Sequence, residues 1–423
     1  MRNTDTSSPV DKSILIIGGG ISGITTALEA AEAGYDTYIV ERKAYLGGNV
    51  SRMNQYFPKL CPPTCGLEIN FKRIKNNKRV KFFTLTEVEK IEGEDGNYDV
   101  TLNIKPRYVN ENCTECNKCV EACPVERSND FNFGLDKTKA VYLPFNMAFP
   151  MQYVIDDKVC QGASCSKCIP ACKYNAIDLN DKPQTITLKV GAIVWATGWE
   201  PYDANKIDNL GFGKYPNIVT NVMLERLAAL NGPTGGQILR PSDNKPPANV
   251  IFVQCAGSRD ENHLPYCSAV CCMASLKQAN YVREKNPDAN VHIFYIDLRT
   301  LGKFEDFLTK IQSDEKIKFT KGKVAKITED PQTHNLCVEA EDTLSGVKVK
   351  ATADMVVLAT GIVPNTEISK QFVPKSLDEY NFMNNNDSSI SAGCVKRPMD
   401  VALSTQDATG SALTAIQRAR RKS

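Results

Sequence analysis

Eight of the chain's 16 cysteines fall between Cys113 and Cys172, in two quartets of four. The first reads Cys113-x2-Cys116-x2-Cys119-x3-Cys123-Pro124, and the second Cys160-x4-Cys165-x2-Cys168-x3-Cys172. Thiols spaced like this wrap iron–sulfur clusters. Such clusters only accept and pass single electrons, so the rest of the chain must supply a donor, an acceptor or both. A secreted disulfide scaffold would need a signal peptide, and Met1–Asp11 is polar. The thiols are therefore read as reduced, cytoplasmic and metal-binding.

In the bacterial ferredoxin pattern, which the quartets resemble, the fourth cysteine of each quartet serves the other cluster. That rule assigns Cys113, Cys116, Cys119 and Cys172 to one [4Fe–4S] cluster, and Cys160, Cys165, Cys168 and Cys123 to a second. The second quartet departs from the pattern, with x4 in place of its first x2 and Lys173 where a proline would stand. Zinc held by four cysteines is the competing reading of paired spacings. The segment 109–182 reads as an α+β ferredoxin domain inserted into a larger frame.

That frame begins with Ser13–Ile17 (SILII), a short strand that runs into Gly18-Gly19-Gly20-Ile21-Ser22-Gly23, a helix-forming stretch, a second strand at Thr37–Val40 and the acid Glu41. Gly18 permits the tight turn, Gly20 lets backbone approach a pyrophosphate, and Gly23 lets helix and strand pack closely. The helix N-terminus, with Ser22, meets the phosphate charge. Glu41, followed by Arg42, is placed for a ribose hydroxyl. The bland reading of any one piece is a glycine-rich turn. Gly47-Gly48, the strand Ala192–Trp195 ending in Ala196-Thr197-Gly198, its counterpart Met355–Ala359 ending in Thr360-Gly361, and the loop at Gly393 before a small-residue helix resemble FAD flavoproteins with two dinucleotide-binding domains. The fold expected is α/β and thioredoxin-reductase-like, with FAD parts at 1–108, 183–213 and 351–423, and a second Rossmann-like domain at 214–350.

In that second domain the strand Asn249–Gln254 should lead into another G-x-G-x-x-G, and it leads into Cys255-Ala256-Gly257-Ser258-Arg259-Asp260. No NAD(P)H binding is expected there. Cys255, Cys267, Cys271 and Cys272 are read as ligands of a third [4Fe–4S] cluster, with a helix placing Cys267 and Cys271 on one face. The alternative is buried thiols packing as hydrophobes. Cys61 and Cys65 are open between a redox dithiol, cluster ligands and buried structural thiols. Cys337 reads as structural, and Cys394 as a neighbour of the flavin.

The flavin frame, the inserted two-cluster ferredoxin and the Cys-x11-Cys-x3-Cys-Cys site together resemble the A-subunit family of heterodisulfide reductases, over Ser13 to about Arg418. The resemblance implies a cytoplasmic FAD and iron–sulfur electron hub. The chain ends in ARRKS without the family's C-terminal ferredoxin extension, and YFPKLCPPTCGLEINFKRIKNN looks like the short A subunits of quinone-interacting membrane-bound oxidoreductases (Qmo) of sulfate-reducing bacteria. That likeness implies electron passage between the menaquinone pool and adenylylsulfate reductase in sulfate respiration. It also implies two companions: a haem-bearing membrane subunit that holds the complex at the inner membrane, and a second flavin and iron–sulfur subunit. The alternatives are an electron-bifurcating hub and a stand-alone flavin-dependent reductase. No catalytic acid, base or nucleophile is expected. Net charge of +2 calls for no nucleic acid, three histidines argue against His-ligated haem, and no apolar run is long enough to span a bilayer. The basic tail Arg418–Lys422 reads as a solvated helix end.

Overall fold

The computed structural model describes residues 12–57, 59–386 and 389–420. Met1–Asp11 and the last residues of the basic tail lie outside the described residues. The chain divides into two units, one made of Met1–Ser51, Tyr56–Trp199 and Pro364–Ser423, the other of Arg52–Gln55 and Glu200–Val363.

In the first unit, five parallel strands lie in the order Ile390–Ser391, Ala192–Trp195, Ile14–Ile17, Thr37–Val40, Val80–Phe83. Alternation decides what each face meets. Ile14 and Ile16 pack into a core with Ile24, Leu28, Leu67, Phe71 and Ala408, from the helices Ile21–Glu32, Pro63–Asn76 and Val401–Arg418. Leu15 and Ile17 face the other way, onto Val88, Val100, Leu102 and Trp195. Those partners come partly from a three-stranded antiparallel sheet, Thr86–Glu94, Asn97–Ile104 and Gln184–Val190. Ile104 pairs with Gln184 across that sheet. The cysteine-rich segment thus leaves and returns at adjacent positions, so it occupies the tip of a hairpin.

The insert closes its own neck with Asn110 N–H donating to Ala176 O at 2.8 Å and Asp178 N–H to Tyr108 O at 3.1 Å. Its core is small: Val109, Cys119, Val141, Tyr153, Ile155 and Ala176, with other cysteines packed around them. A module this lightly cored needs a staple such as a metal cluster. Aromatic packing fixes it to the frame. Tyr45 meets Phe131 and Phe145 edge-on at 5.7 and 5.3 Å, and Phe149 stacks on Phe71 at 4.9 Å.

The second unit repeats the layout. Its parallel strands run in the order Ile218–Thr220, Met355–Thr360, Asn249–Ala256, Asn290–Tyr295, Ile317–Lys321. An antiparallel meander, Val324–Glu329, Leu336–Asp342 and Val347–Ala353, stands where the first unit has its three-stranded sheet. Here Asp342 pairs with Val347, and an ordinary turn replaces the insert. Cys337 lies half-buried in this meander. The tail differs from expectation. Arg418 is buried, 3.6 Å from Asp95, because the last helix turn packs against the hairpin at Asp95 instead of pointing to water.

One half-buried titratable group ties the second sheet to pH. His292 Nε2 lies 2.8 Å from Thr320 Oγ1, and its ring is 4.2 Å from Phe294. Burial, then the charge of Lys318, lowers its pKa from 6.5 to about 4. Between those values the unfolded chain binds a proton that the folded chain refuses, so stability falls as pH drops through the window. Urea midpoints at about pH 7 and about pH 4.5 should differ less for His292→Gln than for the wild type. The difference should be about 2 kcal/mol, after a discount for partial exposure.

Candidate functional site

At the carboxyl end of Ile14–Ile17 only Gly18, Gly19 and Gly20 separate strand from helix. Gly18 has φ of +113°, and a Cβ there would meet Ala196 O at 2.2 Å; a Cβ on Gly23 would meet Gly18 O at 1.9 Å. Those two contacts bring helix, loop and return strand together. Around Gly20 the space is open, with Gly48 Cα alone at 3.9 Å. Gly47 N–H donates to Gly19 O at 2.8 Å, so the Gly47-Gly48 turn lies against the loop. No side chain caps the helix at Gly20, which leaves its first N–H groups to an anion. Glu41 is buried and accepts from Gly19 N–H through Oε2 and from Lys43 N–H through Oε1, both at 2.8 Å. Each oxygen keeps lone pairs for a ribose hydroxyl. Arg42 is exposed beside it. Gly393, with φ of +74°, sits where a Cβ would strike Ser22 Oγ at 2.1 Å, and its N–H donates to Asp407 at 2.9 Å. Thr197 Oγ1 donates to Asn365 O at 2.5 Å, and Gly198 O accepts from Asn365 N–H at 3.0 Å. A glycine-lined cradle, an uncapped helix and a tethered carboxylate fit an FAD pyrophosphate and ribose. Cys394 lies buried beside Gly393, its Sγ 3.3 Å from Met399 O.

The inserted cysteines ring two cavities. One, of about 310 Å³ including its open mouth, is lined by Cys113, Cys116, Cys119 and Cys172, with Tyr153 and Tyr174. The other, of about 340 Å³, is lined by Cys123, Cys160, Cys165 and Cys168. The fourth thiol of each quartet therefore stands in the cage of the other. Two short helices, Lys118–Ala122 and Cys168–Ala171, pack together and carry the two cages side by side. Gly162 N–H points at Cys160 Sγ and Ala176 N–H at Cys172 Sγ, each at 3.4 Å, the kind of bond that tunes a cluster's ligand sulfurs. Among the described residues no three His, Cys, Asp or Glu side chains close tightly enough to hold one metal ion. Four thiols line each cavity, and cavities of this size fit a multi-atom cluster. The frame grips the insert beside the flavin loop: Leu46 N–H donates to Phe149 O at 2.8 Å, and Arg107 donates to Ala44 O and Thr84 Oγ1 at 2.6 and 2.8 Å.

In the second unit the loop after the central strand is longer, running from Gly257 to Val270 before the helix Cys271–Lys285. Cys255, Cys271 and Cys272 are buried and Cys267 is half-buried. Burial pushes the Cys255 thiol up to about 11, with the neighbouring Cys272 and Cys267 adding to it. Burial also raises Cys271, followed by the charges of Cys255, Cys272 and Cys267, so the four thiols share one site. Cys267 does not lie on the helix, contrary to the expectation of one shared face. Ala269 takes the left-handed region, at φ of 58°, and breaks the chain just before the helix starts. Cys267 reaches the others from the loop, its Sγ accepting from Ala269 N–H at 3.4 Å. Non-glycine residues at positive φ gather here, namely Cys255 (55°), Arg259 (56°) and Ala269. Such strain persists only where the surroundings enforce it, and it clusters at functional sites. Three buried thiols, a fourth at the mouth and an N–H aimed at sulfur fit an iron–sulfur cluster.

Other residues fall elsewhere. Thr360 and Gly361 belong to the second unit, where Cys271 Sγ is 3.6 Å from Thr360 O. A Cβ on Gly361 would strike Ser258 and Ser268 of the thiol loop, at 2.3 and 2.7 Å. Cys65 is exposed in the first turn of Pro63–Asn76 and Cys61 is half-buried before it, which removes the buried structural reading for Cys65. Sequence reasoning missed a buried ion pair. Lys277 Nζ lies 3.0 Å from Glu225 Oε1, with side chains only 6% and 7% exposed. Lys277 also donates to Gln55 O, and Glu225 accepts from Asn54 N–H and Gln278 Nε2. A lysine in CCMASLKQANYVREK gives no signal of burial, since the helix reads as ordinarily amphipathic.

A family profile for FAD dependent oxidoreductases matches residues 13–77. The chain is 43% identical over 367 residues to the iron-sulfur A subunit of the CoB–CoM heterodisulfide reductase of Methanocaldococcus jannaschii, covering 85% of this chain and 55% of that protein. It is 37% identical over 422 residues to the A subunit of the H(2):CoB-CoM heterodisulfide,ferredoxin reductase of Methanothermobacter thermautotrophicus, covering 96% and 64%. The chain thus spans between half and two thirds of the length of these relatives. Among solved structures, thioredoxin reductase of Lactococcus lactis matches with a TM-score of 0.54 at 13% identity, covering 96% of this chain and 98% of that one. Thioredoxin reductase of T. acidophilum matches with a TM-score of 0.53 at 14% identity, with the same coverage. At that identity the likeness establishes the fold alone: a thioredoxin-reductase-like α/β flavoprotein frame.

The crossed cages make a specific expectation. Cys172→Ala should remove the cluster of the first quartet and spare the second, and Cys123→Ala should do the reverse; EPR of the two reduced variants distinguishes these outcomes. For the ion pair, Lys277→Met should cost about 3–5 kcal/mol, because it leaves a buried carboxylate without its cation. Lys277→Met combined with Glu225→Gln should cost clearly less than the sum of the single changes in urea titrations.

Proposed function

We propose that this chain, similar over most of its length to the A subunits of heterodisulfide reductase, is an FAD-dependent oxidoreductase polypeptide that works as the flavin and iron–sulfur electron-transfer subunit of a larger complex. The observation that carries this reading is the pair of crossed four-cysteine cavities gripped by the flavin frame beside Gly47-Gly48. FAD exchanges electrons singly or in pairs, and iron–sulfur clusters pass them one at a time. The residues' work is to hold these groups. Gly20 leaves room for the pyrophosphate while Gly18 and Gly23 let loop, helix and return strand pack closely, Ser22 and the helix N-terminus face its charge, and Glu41 with Arg42 takes the ribose end. Gly47, Gly48, Ala196, Thr197, Gly198 and Gly393 close the cradle. The eight inserted cysteines would hold two [4Fe–4S] clusters, and Cys255, Cys267, Cys271 and Cys272 a third. No side chain is asked to act as acid, base or nucleophile.

The physiological setting proposed is sulfate respiration. Electrons would pass between menaquinone and adenylylsulfate reductase, through a haem-bearing membrane subunit, with a second flavin and iron–sulfur subunit in the same complex. Support comes from the segment around Cys61 and Cys65, which resembles the Qmo A subunits. Among the described residues no helix is long and apolar enough to cross a membrane, so membrane attachment would come through a partner. A second reading, a hub that couples heterodisulfide and ferredoxin reduction, follows the names of the relatives.

Purification of the native protein with its companions separates the two readings. Haem and adenylylsulfate reductase support the first; heterodisulfide-reducing subunits support the second. The intact protein mixed with NADPH should keep its flavin colour. Rapid bleaching would overturn the electron-transfer role in favour of a stand-alone reductase. Iron and sulfide in Cys271→Ser should fall by about four atoms each per chain, and unchanged content would remove the third cluster.

A further inference from the structure

The thiol quartet of the second unit is surrounded by charges that holding a cluster does not require. Arg259 stands four residues after Cys255 in the left-handed region, and its N–H is tied to Tyr266 O at 3.1 Å. That backbone turns its guanidinium inward. Nη1 donates to Asp297 Oδ2 at 2.8 Å, and Cys272 Sγ in turn lies 3.4 Å from the backbone oxygen of that same Asp297. The guanidinium lies within electrostatic reach of both Cys255 and Cys267. Cys272 feels Arg259 and Arg299 together. The facing charges are thus Arg259, Arg299 and Asp297, with Lys321 acting on Asp297. Two cations against one carboxylate leave the site net positive before the thiolates are counted. None of this was visible in the sequence, where Arg259 is only one residue of the segment that stands in place of the glycine loop.

We propose that Arg259 is a positioning residue that sets the reduction potential of the group held by Cys255, Cys267, Cys271 and Cys272, and that Asp297 limits its effect. The inference rests on the third-cluster reading above. A cluster bound by four thiolates is already anionic, and taking up one electron adds one more negative charge. A guanidinium fixed by Asp297 within electrostatic reach of the ligand thiols stabilises the reduced form more than the oxidised form. Charge-assisted bonds of this kind are strong, and burial of three of the four thiols limits screening by solvent. The potential therefore sits higher than four buried thiolates alone would allow, which makes this cluster an acceptor relative to one without the arginine. The geometry also explains the strain. Cys255 and Arg259 both adopt left-handed backbone, at the two ends of the short turn that carries the arginine back beside the thiol site.

The test is an anaerobic potentiometric titration of the full-length protein, followed by EPR. The third cluster's signal is identified as the one absent from Cys267→Ser. If Cys267→Ser keeps the full iron content and every signal, the cluster reading fails and the arginine variants are not needed to show it. If the signal is identified, Arg259→Gln should lower its midpoint by at least a tenfold change in the reduction equilibrium, about 59 mV for one electron. Arg259→Lys keeps the charge and loses the planar fork, so its shift should be smaller. Asp297→Asn should raise the midpoint. An unmoved midpoint in Arg259→Gln with iron intact overturns the proposal, as does an equal shift in the Gln and Lys variants. If Arg259→Gln loses the cluster, Asp297→Asn decides, and no upward shift there overturns the proposal.

Discussion

The backbone bond from Leu46 N–H to Phe149 O joins the cysteine-rich insert of the first unit to its dinucleotide-loop frame. Leu46 immediately precedes Gly47, whose own N–H reaches Gly19 in the dinucleotide loop. Phe149 belongs to the inserted segment and stacks on Phe71, a core residue of the flavin frame. One hydrogen-bonded path of backbone therefore runs from the insert to the loop that would hold the pyrophosphate. Arg107 reinforces it by holding Ala44 O from the insert's neck. Electron transfer between carriers needs a fixed separation more than it needs any particular side chain. An insert tethered only at a hairpin tip would swing. This one is fixed by a backbone bond, a guanidinium and a cluster of aromatic rings.

The two units share the order of four of their five parallel strands and differ in what leaves the carboxyl end of the central strand. In the first, three glycines suffice, and the close contacts at Gly18 and Gly23 exclude any side chain. In the second, the loop is longer, and serines replace the glycine contacts. Ser258 and Ser268 lie 3.1 Å apart, and Ser268 Oγ accepts from Ile362 N–H at 2.9 Å. Loops at this end of a parallel sheet are where such folds place ligands. The same position that offers backbone N–H groups to a phosphate in the first unit offers thiols in the second.

Much of this was legible in the sequence. The glycine loop, the acid at Glu41 and the return strands carry their own spacing, because local sterics impose it. The crossing of Cys123 and Cys172 could be read from the quartets, and the lining of the two cavities agrees with it. What could not be read was tertiary. Cys267 was expected on a helix because its spacing from Cys271 suits one, yet a left-handed Ala269 intervenes. A positive φ at alanine has no sequence signature. Lys277 and Glu225 lie far apart in sequence, and neither has a neighbour that announces burial. Arg418 looked like part of a solvated tail, although Asp95, its partner, sits in a distant hairpin.

These unread residues are charges, and their placement follows a common physical rule. A buried charge is tolerated only where a partner and hydrogen bonds compensate for lost hydration. Lys277 meets the rule with Glu225 and a backbone carbonyl, Arg418 with Asp95 and further carbonyls, and Arg259 with Asp297. The first two compensations are local and complete, so they stabilise and specify the fold. At Arg259 the carboxylate is half-exposed, and the guanidinium lies within electrostatic reach of thiols that a cluster would convert to thiolates. Its compensation is thus partly supplied by the ligand set, and grows as negative charge on that set grows. A cation placed in this way couples electrostatically to the oxidation state of whatever the four cysteines hold.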